Sequence, residues 1–105
     1  MALQLEWDPE KAKTNLFSHR VSFEEAGTVF GDPLGKIVDD PRHSGDEKRY
    51  VLLGHSEQHR LLAVMFTDRG EAVRLISART ATRRERREHE EDQKIYRRGS
   101  PRRRR

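Results

Sequence analysis

The chain has 105 residues, 32% hydrophobic and 38% charged, which allows one domain around one modest core and excludes anything larger. It has no cysteine, so neither a disulfide nor thiolate-bound zinc supports the fold. Its net charge of +4 is carried by the last quarter: residues 1–79 hold 11 Lys and Arg against 13 Asp and Glu, residues 80–105 hold 11 against 5. A basic segment of this kind suits a polyanionic partner, and it equally suits a solvated helix with a charged tail. No apolar run approaches the roughly 20 residues that cross a bilayer, and the start lacks the basic and apolar regions of a signal peptide, so the expected location is the cytoplasm.

Leu3–Trp7 alternates Leu, Gln, Leu, Glu and Trp, the pattern of a short strand with one apolar face. Asp8-Pro9 then predicts a helix start, a carboxylate N-cap followed by proline at the first helical position, with the helix running to about His19. Lys11, Asn15 and His19 share one face of it. Ser22-Phe-Glu-Glu25 reads as a capping box that opens a second short helix with Phe23, Ala26 and Phe30 toward the core, closed by Gly31-Asp32-Pro33. Trp7 and Phe23 are expected in the core.

A possible short strand at 35–38 and a polar loop over 39–48 lead into three extended runs, 49–56, 61–67 and 72–78, joined by connections short enough for hairpins. Such runs make an antiparallel meander. In the third run simple alternation sends Val73, Leu75 and Ser77 one way and Arg74, Ile76 and Ala78 the other. Thr82-Arg-Arg-Glu85 is a second capping box, beginning a charged helix that reaches about Tyr96. Ile95 and Tyr96 are its large apolar residues, which points to docking at that end. Residues 97–105 form an expected disordered basic tail that adds affinity for a polyanion and little specificity. The order predicts an α+β fold of a single domain over 1–96, with two N-terminal helices packed on one face of an antiparallel sheet and the opposite face free.

The chain carries no Gly-rich phosphate loop, no Gly-x-Ser-x-Gly and no His-Glu-x-x-His. Its five histidines lack metal-ligand spacing: only His55 and His59 stand four apart, across an expected turn. No metal and no cofactor are expected. What remains is a set of basic and proton-transferring residues on loop and sheet: His43, Glu47, Arg49, Arg74 and Arg79. RNA can be cleaved by attack of its own 2′-hydroxyl on the adjacent phosphate, which requires a proton acceptor, a proton donor and stabilisation of charge on phosphorus. His or Glu fits the first two tasks, and the planar fork of Arg fits the third. The simpler reading is a solvated loop, with Arg74 and Arg79 paired to nearby carboxylates. Lys11 can likewise face RNA, whereas Asn15 and His19 read as structural, His19 near the helix C-terminus.

Glu6-Trp-Asp-Pro-Glu-Lys11 with Asn15 and His19, then Val21–Ala26 and Val29-Phe-Gly-Asp-Pro33, resembles the N-terminal half of BrnT toxins. His43-Ser44, Glu47 and Arg49 resemble that family's central loop. Arg60-Leu61-Leu62, Arg74-Leu-Ile-Ser-Ala-Arg79 and Ala81–Arg86 resemble its C-terminal half. Arg20 stands where the family usually has Gly, and His89 where Tyr is common. The resemblance spans about residues 5–91 and implies a RelE-like ribonuclease fold that blocks translation by cutting RNA. It implies His43, Glu47, Arg49, Arg74 and Arg79 as the catalytic set, with Lys11, Arg83 and Arg86 toward RNA. It also implies a BrnA-like antitoxin as partner, through which alone the toxin meets operator DNA, with a heterotetramer as a compatible assembly. A non-catalytic module that binds antitoxin or nucleic acid is the alternative.

Overall fold

The computed structural model describes residues 3–40 and 47–99, the last five of these through their backbone alone. The elements follow the order β1 (Gln4–Glu6), α1 (Pro9–His19), α2 (Phe23–Thr28), a 3₁₀ turn (Val29–Gly31), β2 (Lys36–Asp39), β3 (Arg49–His55), β4 (Leu61–Asp68), β5 (Ala72–Thr80) and α3 (Arg83–Gly99). The helix starts follow from their caps. Asp8 accepts from the Glu10 amide at 2.9 Å ahead of Pro9, and Ser22 accepts from the Glu25 amide at 3.0 Å. The second capping box is reciprocal: Glu85 N–H donates to Thr82 Oγ1 at 3.1 Å and Thr82 N–H donates to Glu85 Oε1 at 2.9 Å. At Ser22 only half the box forms, because the Glu25 carboxylate is used elsewhere. It accepts from Ser56 Oγ at 2.7 Å and from Arg60 Nε at 2.9 Å, tying α2 to the β3–β4 hairpin. The Arg60 hydrogen bonds hold the buried Glu25 carboxyl below the usual carboxylate range.

The sheet has five strands in the order β1-β5-β4-β3-β2. Strands β2 to β5 form the expected antiparallel meander, but β1 runs parallel to β5, so the sheet is mixed rather than antiparallel. The reason is the crossing made by α1 and α2. They carry the chain from β1 to the far edge, and the meander returns β5 beside β1 in the same direction. β1 covers β5 only from Ala72 to Arg74. Farther along that edge α1 takes its place: Asn15 Nδ2 donates to Ala78 O at 2.8 Å and Asn15 Oδ1 accepts from Ala78 N at 3.0 Å. The same amide group donates to Val21 O at 2.9 Å. Asn15 is therefore structural, as its sequence context indicated.

The core lies between this sheet and α1 and α2. Val21, Phe23, Ala26 and Val29 meet Leu52, Leu62, Val64, Phe66, Val73, Leu75 and Ala78, all buried. Trp7 packs edge-on against Phe23 with ring centroids 5.8 Å apart.

Simple alternation fails in β5. The pairing with β4 slips between Met65 and Phe66, whose partners are Ser77 and Leu75, so Ile76 is an extra residue in the strand. Ala78 rather than Ser77 then faces the core, and Ser77 and Arg79 turn to the opposite face.

That opposite face is not wholly free, because α3 packs against β3. Among the described side chains of α3 only His89 is buried, with Glu85 and Gln93 half-buried one turn to either side. Among the described side chains, the helix contributes polar groups to this docking, in its N-terminal half. Lys36 adds a 3.2 Å ion pair to Asp92. The side chains of Ile95 and Tyr96 lie outside the described residues, and the helix continues past Tyr96 to Gly99. Among the described residues, no helix is long and apolar enough to cross a membrane.

Candidate functional site

The pairing registers place three arginines on the sheet face away from α1 and α2. Arg49 of β3 lies opposite Thr67 of β4, and Thr67 lies opposite Arg74 of β5, so the two arginines flank Thr67 in one row. Neighbouring strands are about 4.8 Å apart, which puts the two backbones roughly 10 Å apart. The next row is Val38, Val51, Met65 and Ser77, and the one after it ends in Arg79 opposite Ala63. Without the extra residue at Ile76, Arg79 would point into the core. The bulge is what puts Arg74 and Arg79 on one face.

Arg49 and Arg79 look across a hollow of about 480 Å³ whose other walls are Val38, Asp39, Asp40, Val51, Met65, Ile76, Ser77 and Glu85. Its floor is apolar with one hydroxyl, and its rim is charged. Arg79 is held in a fork by Glu85, with Nη1 and Nη2 donating at 2.8 and 3.0 Å. The Arg79 hydrogen bonds are the main reason that the Glu85 carboxyl drops to about 2, with the Thr82 bonds adding to it. Arg79 in turn becomes a still weaker acid. Arg74 lies 3.4 Å from Glu6 in a half-exposed pair. Both arginines are thus paired to carboxylates, as the simpler sequence reading expected, and both remain at the surface.

The other expected residues are placed less uniformly. Glu47 is exposed and lies 3.3 Å from Arg69, at the turn between β4 and β5. His43 falls at 41–46, outside the described residues. Lys11 lines a second groove with Glu10, Thr14, Asn15, Ser18, His19, Ile76 and Ser77. Ile76 and Ser77 border both hollows, so the bulge is the saddle between the Lys11 groove and the arginine hollow. Arg83 and Arg86 are exposed on α3.

Two residues of this face were not among the expected ones. Glu85 was visible as a helix cap, with nothing in the sequence to show that it also grips Arg79. Thr67 is fully buried and its hydroxyl has no hydrogen-bond partner among the described residues, a feature that no local pattern signals. His55 and His59 do not converge: His59 occupies the turn with φ 66, whereas His55 faces His89 and Asp32.

A sequence model described as the ribonuclease toxin BrnT of type II toxin–antitoxin systems matches residues 7–85. The chain belongs to the BrnT family. BrnT proteins are ribonuclease toxins of type II systems, a class defined by an antitoxin partner. The fold agrees: the crystal structure of the Brucella abortus ribonuclease toxin BrnT superposes with a TM-score of 0.60 at 22% identity, over 78% of this chain and all of that one. No curated protein matches the chain. The BrnT match contains Lys11, Glu47, Arg49, Thr67, Arg74, Arg79 and Glu85 and stops before His89. The arginine face therefore lies inside the family region, and α3 beyond its first turn lies outside it.

Proposed function

We propose that the chain is a metal-independent, RelE-like endoribonuclease that inhibits translation and whose active surface is the arginine face of the sheet. The observation that carries this reading is the convergence of Arg49, Arg74 and Arg79 on one face, produced by the bulge at Ile76. A phosphodiester crossing that face meets guanidinium groups suited to the charge that builds on phosphorus. The 2′-oxygen attacks phosphorus, the bond to the 5′-oxygen breaks, and the products are a 2′,3′-cyclic phosphate and a 5′-hydroxyl. The proton leaves the 2′-hydroxyl for one of His43 and Glu47 and reaches the 5′-oxygen from the other. Every role in this reaction is filled by a side chain, and the required 2′-hydroxyl restricts it to RNA. Lys11 extends the cationic track across the Ile76–Ser77 saddle, and Arg83 and Arg86 extend it along α3.

In the resting chain Glu85 and Glu6 occupy Arg79 and Arg74, and a phosphate must compete with both. The same pairing favours a second reading, an antitoxin-binding module without catalysis. The partner in either case is a BrnA-like antitoxin, which sequesters the toxin in the cytoplasm as a heterotetramer and supplies contact with operator DNA. Purified protein incubated with RNA and EDTA, with the ends of the products analysed, separates the readings. The ribonuclease yields cyclic phosphate ends and its induction arrests growth, and the binding module does neither.

A further inference from the structure

We propose that Asp32, His55 and His89 bind a zinc-type transition-metal ion that fastens α3 to the end of the sheet. One ligand atom from each residue lies within 4.8 Å of the others. The three residues come from the segment after the 3₁₀ turn, from the end of β3 and from α3, so no sequence spacing reveals them.

Each ligand is already oriented. Asp32 Oδ1 accepts from the Leu34 amide at 2.9 Å and Oδ2 accepts from the His55 amide at 2.7 Å, which fixes the carboxylate beside the His55 ring. His55 Nδ1 is 4.0 Å from Asp32 Oδ2. The His55 and His89 ring centroids are 5.3 Å apart, and the Gln93 amide meets His89 Nε2 at 3.1 Å. His89 is 3% exposed and is the one buried side chain among those described on an otherwise polar helix. Among its neighbours are an imidazole and a carboxylate, beside buried Leu61, which pairs with His55.

Two imidazoles and a carboxylate form a donor set that suits zinc, with a fourth position left for water. Tetrahedral bonds of about 2.1 Å place ligand atoms roughly 3.4 Å apart. His55, whose side chain is 42% exposed, has the freedom to close the remaining gap. A hollow of about 240 Å³ lined by Thr28, Gly31, Asp32, His55, Ser56 and Glu57 gives an ion a route in. The site lies one helical turn beyond Glu85, so an ion there steadies the turn that holds Arg79. None of its ligands is assigned to RNA cleavage.

The test is calorimetric titration of EDTA-stripped, full-length protein with zinc chloride, in parallel with magnesium chloride. One zinc ion per chain binds in the micromolar range or tighter, thermal unfolding shifts upward with zinc, and magnesium gives no signal. His55→Asn, at a half-exposed position, weakens binding at least about tenfold while circular dichroism stays unchanged. His89→Gln does the same wherever it folds, and His59→Asn, in the nearby turn, leaves binding intact. No zinc binding at about 100 μM, or equal binding by wild type and His55→Asn, overturns the proposal.

Discussion

Glu85 accepts two hydrogen bonds from Arg79, at 2.8 and 3.0 Å, while the same carboxylate receives the Thr82 amide and closes the first turn of α3. One side chain thus sets both the start of the helix and the direction of a surface guanidinium. Its carboxyl falls from an ordinary 4.5 to about 2 in the fold. A lowered folded value means that the stabilisation is complete above pH 4.5 and is lost as pH falls toward 2. Glu85→Gln is expected to cost about 1 kcal/mol at pH 7, since the pair is partly exposed, and to cost almost nothing near pH 2. Urea unfolding of both proteins across this range checks the convergence. Glu25, also lowered, leaves the variant a residual acid slope.

Asn15 substitutes for a strand at the edge of β5. Asn15→Ala leaves the Ala78 amide and two carbonyls without their buried partner, and the expected loss is about 3 kcal/mol. Because Ala78 adjoins Arg79, the variant should also lose order at the arginine hollow, seen as faster amide exchange at residues 77–79.

Arg20 ends α1 in the left-handed region, at φ 59 and ψ 33. Glycine adopts that conformation without strain, and Arg60 reaches Arg20 through its backbone carbonyl, which glycine retains. Arg20→Gly is expected to stabilise the chain by about 0.5–1 kcal/mol, read as a higher urea midpoint at unchanged slope.

Thr67 carries an unpartnered hydroxyl in a fully buried side chain between Arg49 and Arg74. Thr67→Val keeps the shape and removes the unpaired group, so stability should hold or rise by up to about 1 kcal/mol. A loss of more than that amount would mean that the hydroxyl has a bond in solution, and thermal unfolding decides.

Much of this architecture was legible from local chemistry. The Asp8-Pro9 start, the Thr82–Glu85 box and the three extended runs all formed, because caps and alternation act over a few residues. Three features were not legible because each depends on chain segments far apart in sequence. The parallel β1–β5 pairing follows from where two helices deliver the chain. The bulge at Ile76 follows from pairing with β4, and it reverses the side on which Ser77, Ala78 and Arg79 lie. The docking of α3 around His89 follows from where the helix meets the end of β3 in space, which no local pattern signals. At the site, Arg49, Arg74 and Arg79 were recognisable as phosphate-type residues, but their common face exists only because of the bulge.

The central claim is that this arginine face cleaves RNA. Its most direct test is the single-turnover rate of RNA cleavage in EDTA by wild type, Arg49→Ala and Arg74→Ala, with exposed Lys13→Ala as the control. Arg74 is the cleaner probe, because Arg79→Ala would also strip Glu85 of its partner. The account predicts that both arginine variants fold normally and cleave on the order of 100-fold more slowly, as expected when a group stabilising transition-state charge is removed, while Lys13→Ala keeps its rate. Undiminished cleavage in both folded arginine variants would contradict it.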